Sequence, residues 1–210
     1  MGAADRFKGA NTKFSDRGEY LIPKLREEKD EKTGTTKLVY DSPANYELKI
    51  KRCIWKSARP PKRGEFYIVE CEVTKSDNPR VEVGALRNWM QAMDNDVGPT
   101  ATTDFLCAAL GYDRRNAEEL VRVKKLDKDE RLPGMLAETL DDPTDPLCKN
   151  ILRDFTIKVE VKEITTKGKQ QPFNLHTFFP SDDMRALDAI RKELETGASI
   201  EAALKKVAAA

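Results

Sequence analysis

The chain has one histidine, His176, in 210 residues. Nucleophile–His–acid catalysis would rest on that residue alone. It lies beside Phe178 and Phe179 in a strand pattern, and reads as structural. The four cysteines, Cys53, Cys71, Cys107 and Cys148, form no Cys-x-x-Cys pair. A structural zinc needs closely spaced soft ligands, so free, buried thiols are the expectation. Gly-rich phosphate loops, HExxH and GxSxG are missing as well. No stretch approaches the ~18 consecutive apolar residues of a membrane-spanning helix. Met1 to Phe14 lack the apolar run of a secretory signal, so a cytoplasmic location is expected. Neither sign of charge dominates, with 37 Lys and Arg against 36 Asp and Glu. Global attraction to nucleic acid or membrane is thereby excluded, and any electrostatic function must come from local clustering. No cofactor and no metal ion are expected.

What the chain does have is charge in bulk. Charged residues make up 35% against a usual ~25%, which implies a modest core among solvated helices and loops. Residues 1–43 read as a charged arm, partly ordered, with a turn at Thr33-Gly34-Thr35. Residues 44–180 read as the folded domain, and 181–210 as C-terminal helices.

Period-2 alternation predicts a strand over Tyr46–Trp55, a second over Glu65–Lys75 and a third over Arg80–Met90. Pro60-Pro61 breaks the first from the second. Helical signals follow: Thr102 or Thr103 capping a segment ended by Gly111, Asn116 capping Ala117–Lys125, and Asp145-Pro146 opening a short helix through Leu152. Alternation returns in Phe155–Val161 and Phe173–Phe179, joined by a tip at Gly168. Ser181 caps an amphipathic helix stopped by Gly197, and Ser199 starts a last one. This order predicts an α+β chain, mainly β: a five-stranded Greek-key barrel of the oligonucleotide/oligosaccharide-binding (OB) type. Its helical insert lies between strands 3 and 4. A split-sheet α+β fold gives the same string of elements.

A hairpin centred on Pro60-Pro61 would set Trp55 opposite Phe66, Cys53 opposite Ile68, Lys51 opposite Glu70 and Lys49 opposite Glu72. Tyr46, Leu48, Ile50 and Ile54 would then face the core, and Trp55–Phe66 would lie outside. The loop beside that pair carries Lys56, Arg59, Lys62 and Arg63 with no acid. The second tip carries Lys162, Lys167 and Lys169. Rings for bases and cations for phosphates are what single-stranded nucleic acid needs. The opposing expectation makes Trp55–Phe66 a second small core. The pattern Asp145 or Asp154 with Glu160-Val161-Lys162 superficially fits a metal-dependent nuclease, but Glu47-Leu48-Lys49 repeats the same spacing.

Four segments, YELKIKRCIWKSARPPKRGEFYIVECEV, VGALRNWM, TTDFLCAALGY and FTIKVEVKEITTKGKQQPFNLHTFFP, resemble bacteriophage single-stranded-DNA-binding proteins of the OB-fold type. The resemblance spans residues 46–179. It implies a non-enzymatic, sequence-tolerant protein of DNA replication or recombination in an infected bacterium. Single-stranded DNA would be its partner, with replication or recombination proteins and further copies of the chain as others. Lys49, Lys51, Trp55, Lys56, Arg59, Lys62, Arg63, Phe66, Lys162, Lys167 and Lys169 are the nucleic-acid-binding candidates, and there are no catalytic ones. The chain ends in Lys205-Lys206-Val207 and three alanines, not in the acidic tail common in that family. The alternatives are a protein-interaction or virion assembly module without nucleic-acid binding, and the nuclease.

Overall fold

The computed structural model describes residues 19–58, 64–95, 97–129, 131–165, 172–182 and 184–209. Eight strands and five helices are found among them: β1 (Glu19–Tyr20), β2 (Lys24–Lys29), β3 (Thr36–Ser42), β4 (Ala44–Ser57), β5 (Glu65–Ser76), β6 (Leu86–Ala92), α1 (Val97–Ala109), α2 (Ala117–Lys128), α3 (Leu132–Thr139), β7 (Thr156–Ile164), β8 (Phe173–Pro180), α4 (Met184–Glu195) and α5 (Ile200–Ala208). The fold is α+β, dominated by a six-stranded sheet ordered β1-β6-β5-β4-β7-β8 and curled into a half-barrel. All pairings in that sheet are antiparallel except β1 with β6.

Alternation explains the long strands. In β7, Ile157, Val159 and Val161 are buried, whereas Thr156, Lys158 and Glu160 are not. The inner face of the sheet carries an aromatic cluster. Trp89 packs edge-on against Phe178 at 4.8 Å, and Phe105 of α1 contacts both rings. This contact spans from β6 to β8, the two strands that would have to pair to close a barrel. The gap between them takes the segment after β1. Leu21 is fully buried, and its N–H donates to the Asn88 carbonyl. The His176 imidazole hydrogen-bonds main-chain groups of Leu21 and Asn174. Tyr46 Oη donates to the Ile22 carbonyl, and the buried Asn78 amide donates to Pro23 O and to Tyr46 Oη. Residues 19–23 thus plug the seam, so order begins well before Tyr46.

The rest of the predicted arm, beyond that plug, is a hairpin. β2 pairs with β3 about the turn at Gly34, whose φ of +69° suits glycine. Residues 1–18 lie outside the described residues. The insert also departs from expectation. α1 starts at Val97, where Asn95 Oδ1 accepts the N–H groups of Val97 and Gly98. A Cβ at Gly98 would sit 2.1 Å from the Ala92 carbonyl, so only glycine lets α1 approach β6 this closely. Asn116 caps α2 and Ser199 caps α5, as their side-chain chemistry predicts. The helix expected at Asp145–Leu152 is a series of turns, and the real third helix of the insert is α3. The third strand is shorter than predicted, because Arg80–Ala85 form turns before β6.

α4 is tied to the insert through a buried cation. Arg191 is 5% exposed, donates to the Gly111 carbonyl at 2.6 Å and pairs with Glu119 at 2.8 Å and with Asp188. Burying a guanidinium is costly unless it is paired and hydrogen-bonded, as this one is.

Candidate nucleic-acid interface

Alternation in β4 breaks at Lys51. Lys49 pairs with Glu72 and Ile50 with Cys71, but Arg52 pairs with Glu70, leaving Lys51 as an extra residue. Two residues then oppose one, which is a β-bulge, and every side chain beyond it changes face. Before the bulge, Tyr46, Leu48 and Ile50 are buried in the core. After it, Cys53 is buried and Trp55 packs against that same core.

The expected outer pair Trp55–Phe66 therefore does not form. Trp55 faces Tyr67, Cys53 faces Val69, Arg52 takes the place opposite Glu70, and Phe66 faces Lys56. Ile54, expected in the core, faces Ile68 on the outer side; both are 2% exposed and stand apart from the main core. Trp55 is half-buried beside an apolar cavity of about 310 Å³ lined also by Tyr67, Met93, Leu136, Leu140 and Cys148. Beside it, Tyr67 Oη and Thr139 Oγ1 share a 2.7 Å hydrogen bond that ties β5 to α3.

The outer face of β1, β6 and β5 holds a different apolar row. Register places Tyr20 beside Asn88, Met90 opposite Ile68, and Ala92 opposite Phe66. Tyr20 is 51% exposed and Met90 38%, and the Tyr20 hydroxyl donates to Met90 Sδ at 3.8 Å. Phe66 is half-buried at the loop end of this row, with Lys56 as its cross-strand neighbour. Neither Tyr20 nor Met90 was nominated by the sequence. Tyr20 sits in a charged arm, and nothing local shows that this arm pairs with β6.

Most nominated strand cations already face carboxylates. Lys49 pairs with Asp154 at 2.9 Å, Lys51 with Glu72 at 2.5 Å and Lys162 with Glu160 at 3.8 Å. The hydrogen bond from Lys49 holds Asp154 below the usual carboxylate range, and Lys51 does the same for Glu72. Arg52, which was not nominated, binds Glu70 through two hydrogen bonds. The strand face is thus close to charge-compensated. Arg59, Lys62, Arg63, Lys167 and Lys169 lie outside the described residues. Their two loops leave from opposite ends of β4, since Ser57 pairs with Glu65 at one end while Ala44 pairs with Val161 at the other. The Phe66 row borders the first loop, and Lys162 belongs to the second.

The carboxylates of the nuclease pattern are engaged elsewhere. Asp154 holds Lys49, and Asp145 Oδ1 accepts the Leu147 N–H. Among the described residues no three His, Cys, Asp or Glu side chains converge as a metal site. Cys53, Cys71 and Cys107 are buried and Cys148 is half-buried, all four as free thiols. Burial pushes the Cys53 and Cys107 thiols up to about 12, far from a reactive thiolate.

No protein-family model and no curated protein matches the chain. No helix among the described residues is long and apolar enough to cross a membrane.

Proposed function

We propose that the protein is a sequence-tolerant single-stranded-DNA-binding protein without catalytic activity. The observation that carries this is the outer-face row of exposed Tyr20 and Met90 and half-buried Phe66, which runs toward a loop whose sequence holds Arg59, Lys62 and Arg63 without an acid. Rings and a thioether can stack against bases of any sequence, while cations at the row's end take phosphates. The strand adjacency β6-β5-β4-β7-β8 also supports an OB-type barrel that starts at β4, with Leu21 filling its open seam. A role in bacteriophage replication or recombination, in the host cytoplasm, rests on the resemblance of residues 46–179 alone.

Anisotropy of a labelled oligothymidine, titrated with the full chain over a salt series, tests the reading. Tyr20→Ala and Phe66→Ala should each cost roughly 1–3 kcal/mol of binding, the range for one stacked base. Charge reversal at Arg59, Lys62 and Arg63 should flatten the salt slope by about 0.7 per lost phosphate contact. Reversal at Lys124, Lys125 and Lys128, exposed on α2, is the control that should change it least. The ion pairing of Lys49, Lys51 and Lys162 favours the second reading, a protein-interaction module. Absence of oligonucleotide binding at low salt would decide for it.

A further inference from the structure

The bulge in β4 turns Trp55 toward the core, and next to it the packing is incomplete. The cavity of about 310 Å³ found there lies between the sheet and the helical insert. Its floor is deep: Tyr67 is 1% exposed, Leu140 4% and Thr102 0%. The remaining walls include Trp55, Leu136 and Ala137 of α3, and Cys148 in the turns after it. These four are half-buried, so this side of the cavity borders solvent. Protein interiors pack as tightly as organic crystals, and few voids exceed a water molecule. This one has about twice the volume of a ~150 Å³ apolar cavity that stays dry and takes up benzene.

The chemistry of the walls selects the occupant. Thr139 Oγ1 donates to the Leu136 carbonyl at 2.6 Å, so the Tyr67 hydroxyl is the donor in its 2.7 Å bond to Thr139. Thr102 Oγ1 donates to the Gly98 carbonyl at 2.8 Å. The hydroxyl protons of the floor are thus spent inside the protein. Water would need roughly two to four partners per molecule and finds few here. Asp145 is the charged residue on the described walls, and its sign disfavours an anion. Trp55 and Tyr67 supply rings, while Met93 and Cys148 supply sulfur, which packs favourably at the edge of an aromatic ring.

We infer that this cavity binds a neutral aromatic molecule of about two fused rings. The site lies on the inner side of β4, across the sheet from the Tyr20–Met90–Phe66 row, and it stands independently of the strand-binding reading.

Cys148 supplies a local reporter. It is the half-buried thiol, whereas Cys53, Cys71 and Cys107 are buried and burial raises their pKa values. Its alkylation by N-ethylmaleimide in the full chain can be followed by peptide mass spectrometry. Indole should slow that reaction hyperbolically, about tenfold once it reaches roughly ten times its Kd. The melting temperature should rise over the same range of indole concentration. Indole-3-carboxylate carries the same rings with a charge, and should change neither. Ala137→Leu adds apolar volume to the cavity wall with a residue that helices accept. It should abolish the protection by indole and keep or raise the melting temperature. Unchanged Cys148 labelling at millimolar indole, equal protection by the carboxylate, or protection that survives in folded Ala137→Leu would each overturn the inference. If Ala137→Leu does not fold, the two titrations of the parent chain decide alone.

Discussion

The two faces of the β4–β5–β6 sheet use similar side chains for opposite ends. Inside, Tyr67, Trp89, Phe105 and Phe178 interlock at centroid distances between 4.8 and 6.4 Å. Outside, Tyr20 and Met90 touch each other and solvent. The difference teaches that an aromatic residue's role here is set by its face, and that in β4 the face is set by one extra residue, Lys51. Trp55 is the case in point. Simple alternation puts it outside with Phe66, and the bulge puts it inside with Tyr67.

The largest effect expected from breaking the inner face is Trp89→Ala. It removes an indole that is 4% exposed and touches three other rings. The loss should be roughly 3–5 kcal/mol by denaturant unfolding. A cost below about 1 kcal/mol would mean that the inner cluster is not the core.

Next comes acid. His176 sits on the inner side of β8, and burial lowers its pKa to about 4 from an ordinary 6.5. The unfolded chain therefore takes up this proton first as pH falls. The contribution is fully present above about pH 6.5, is lost between 6.5 and 4, and changes no further below. Its size is about 3 kcal/mol at most. Carboxylates held down by partners, such as Asp113 beside Arg115 and Asp154 beside Lys49, lose their contribution only at lower pH. Stability measured against pH should thus fall before the carboxylates titrate, and His176→Gln should remove that early limb. An identical pH profile in the variant would place the ring in water.

Trp55 sharpens the comparison directly. Trp55→Ala should cost roughly 2–3 kcal/mol of stability, below the fully buried case because the indole is half-buried beside a cavity. Oligonucleotide affinity should stay within experimental error. Phe66→Ala should show the mirror image, with binding lost and stability little changed. If Trp55→Ala weakens binding and leaves the melting temperature alone, the assignment of faces is reversed.

The strands of the sheet were legible because half-buried β structure writes itself as alternation, as in Ile157, Val159 and Val161. Caps at Asn116 and Ser199 and the stop at Gly197 were legible because local chemistry sets them. The α3 helix was missed because it lacks a side-chain cap: Arg131 precedes it without one. Asp145-Pro146 offered a better local signal with no helix behind it. Tyr20 and the Leu21 plug were illegible because their partners, Asn88 and His176, are distant in sequence. The bulge did leave a trace. Lys51-Arg52 sets two charged residues between Ile50 and Cys53, where strict alternation allows one.

That trace leads to the smallest expected effect. If Lys51 is the surplus residue, deleting it should leave Ile50 opposite Cys71 and bring Arg52 opposite Glu70 without a break. Every side chain downstream, Cys53 and Trp55 included, would keep its face. The losses would be the exposed Lys51–Glu72 pair, which solvent screens, and the extra twist that a bulge lends the sheet. Deletion within a central strand normally moves a whole face from core to solvent. Removing Glu70 from β5 should do so, pushing Val69 or Cys71 outward and unfolding the domain. The measurement is therefore a pair of melting curves. The Lys51 deletion should melt within a few degrees of the parent, and the Glu70 deletion should show no cooperative transition. Equal damage in both would mean that β4 runs in simple alternation, and Trp55 would return to the outer face beside Phe66.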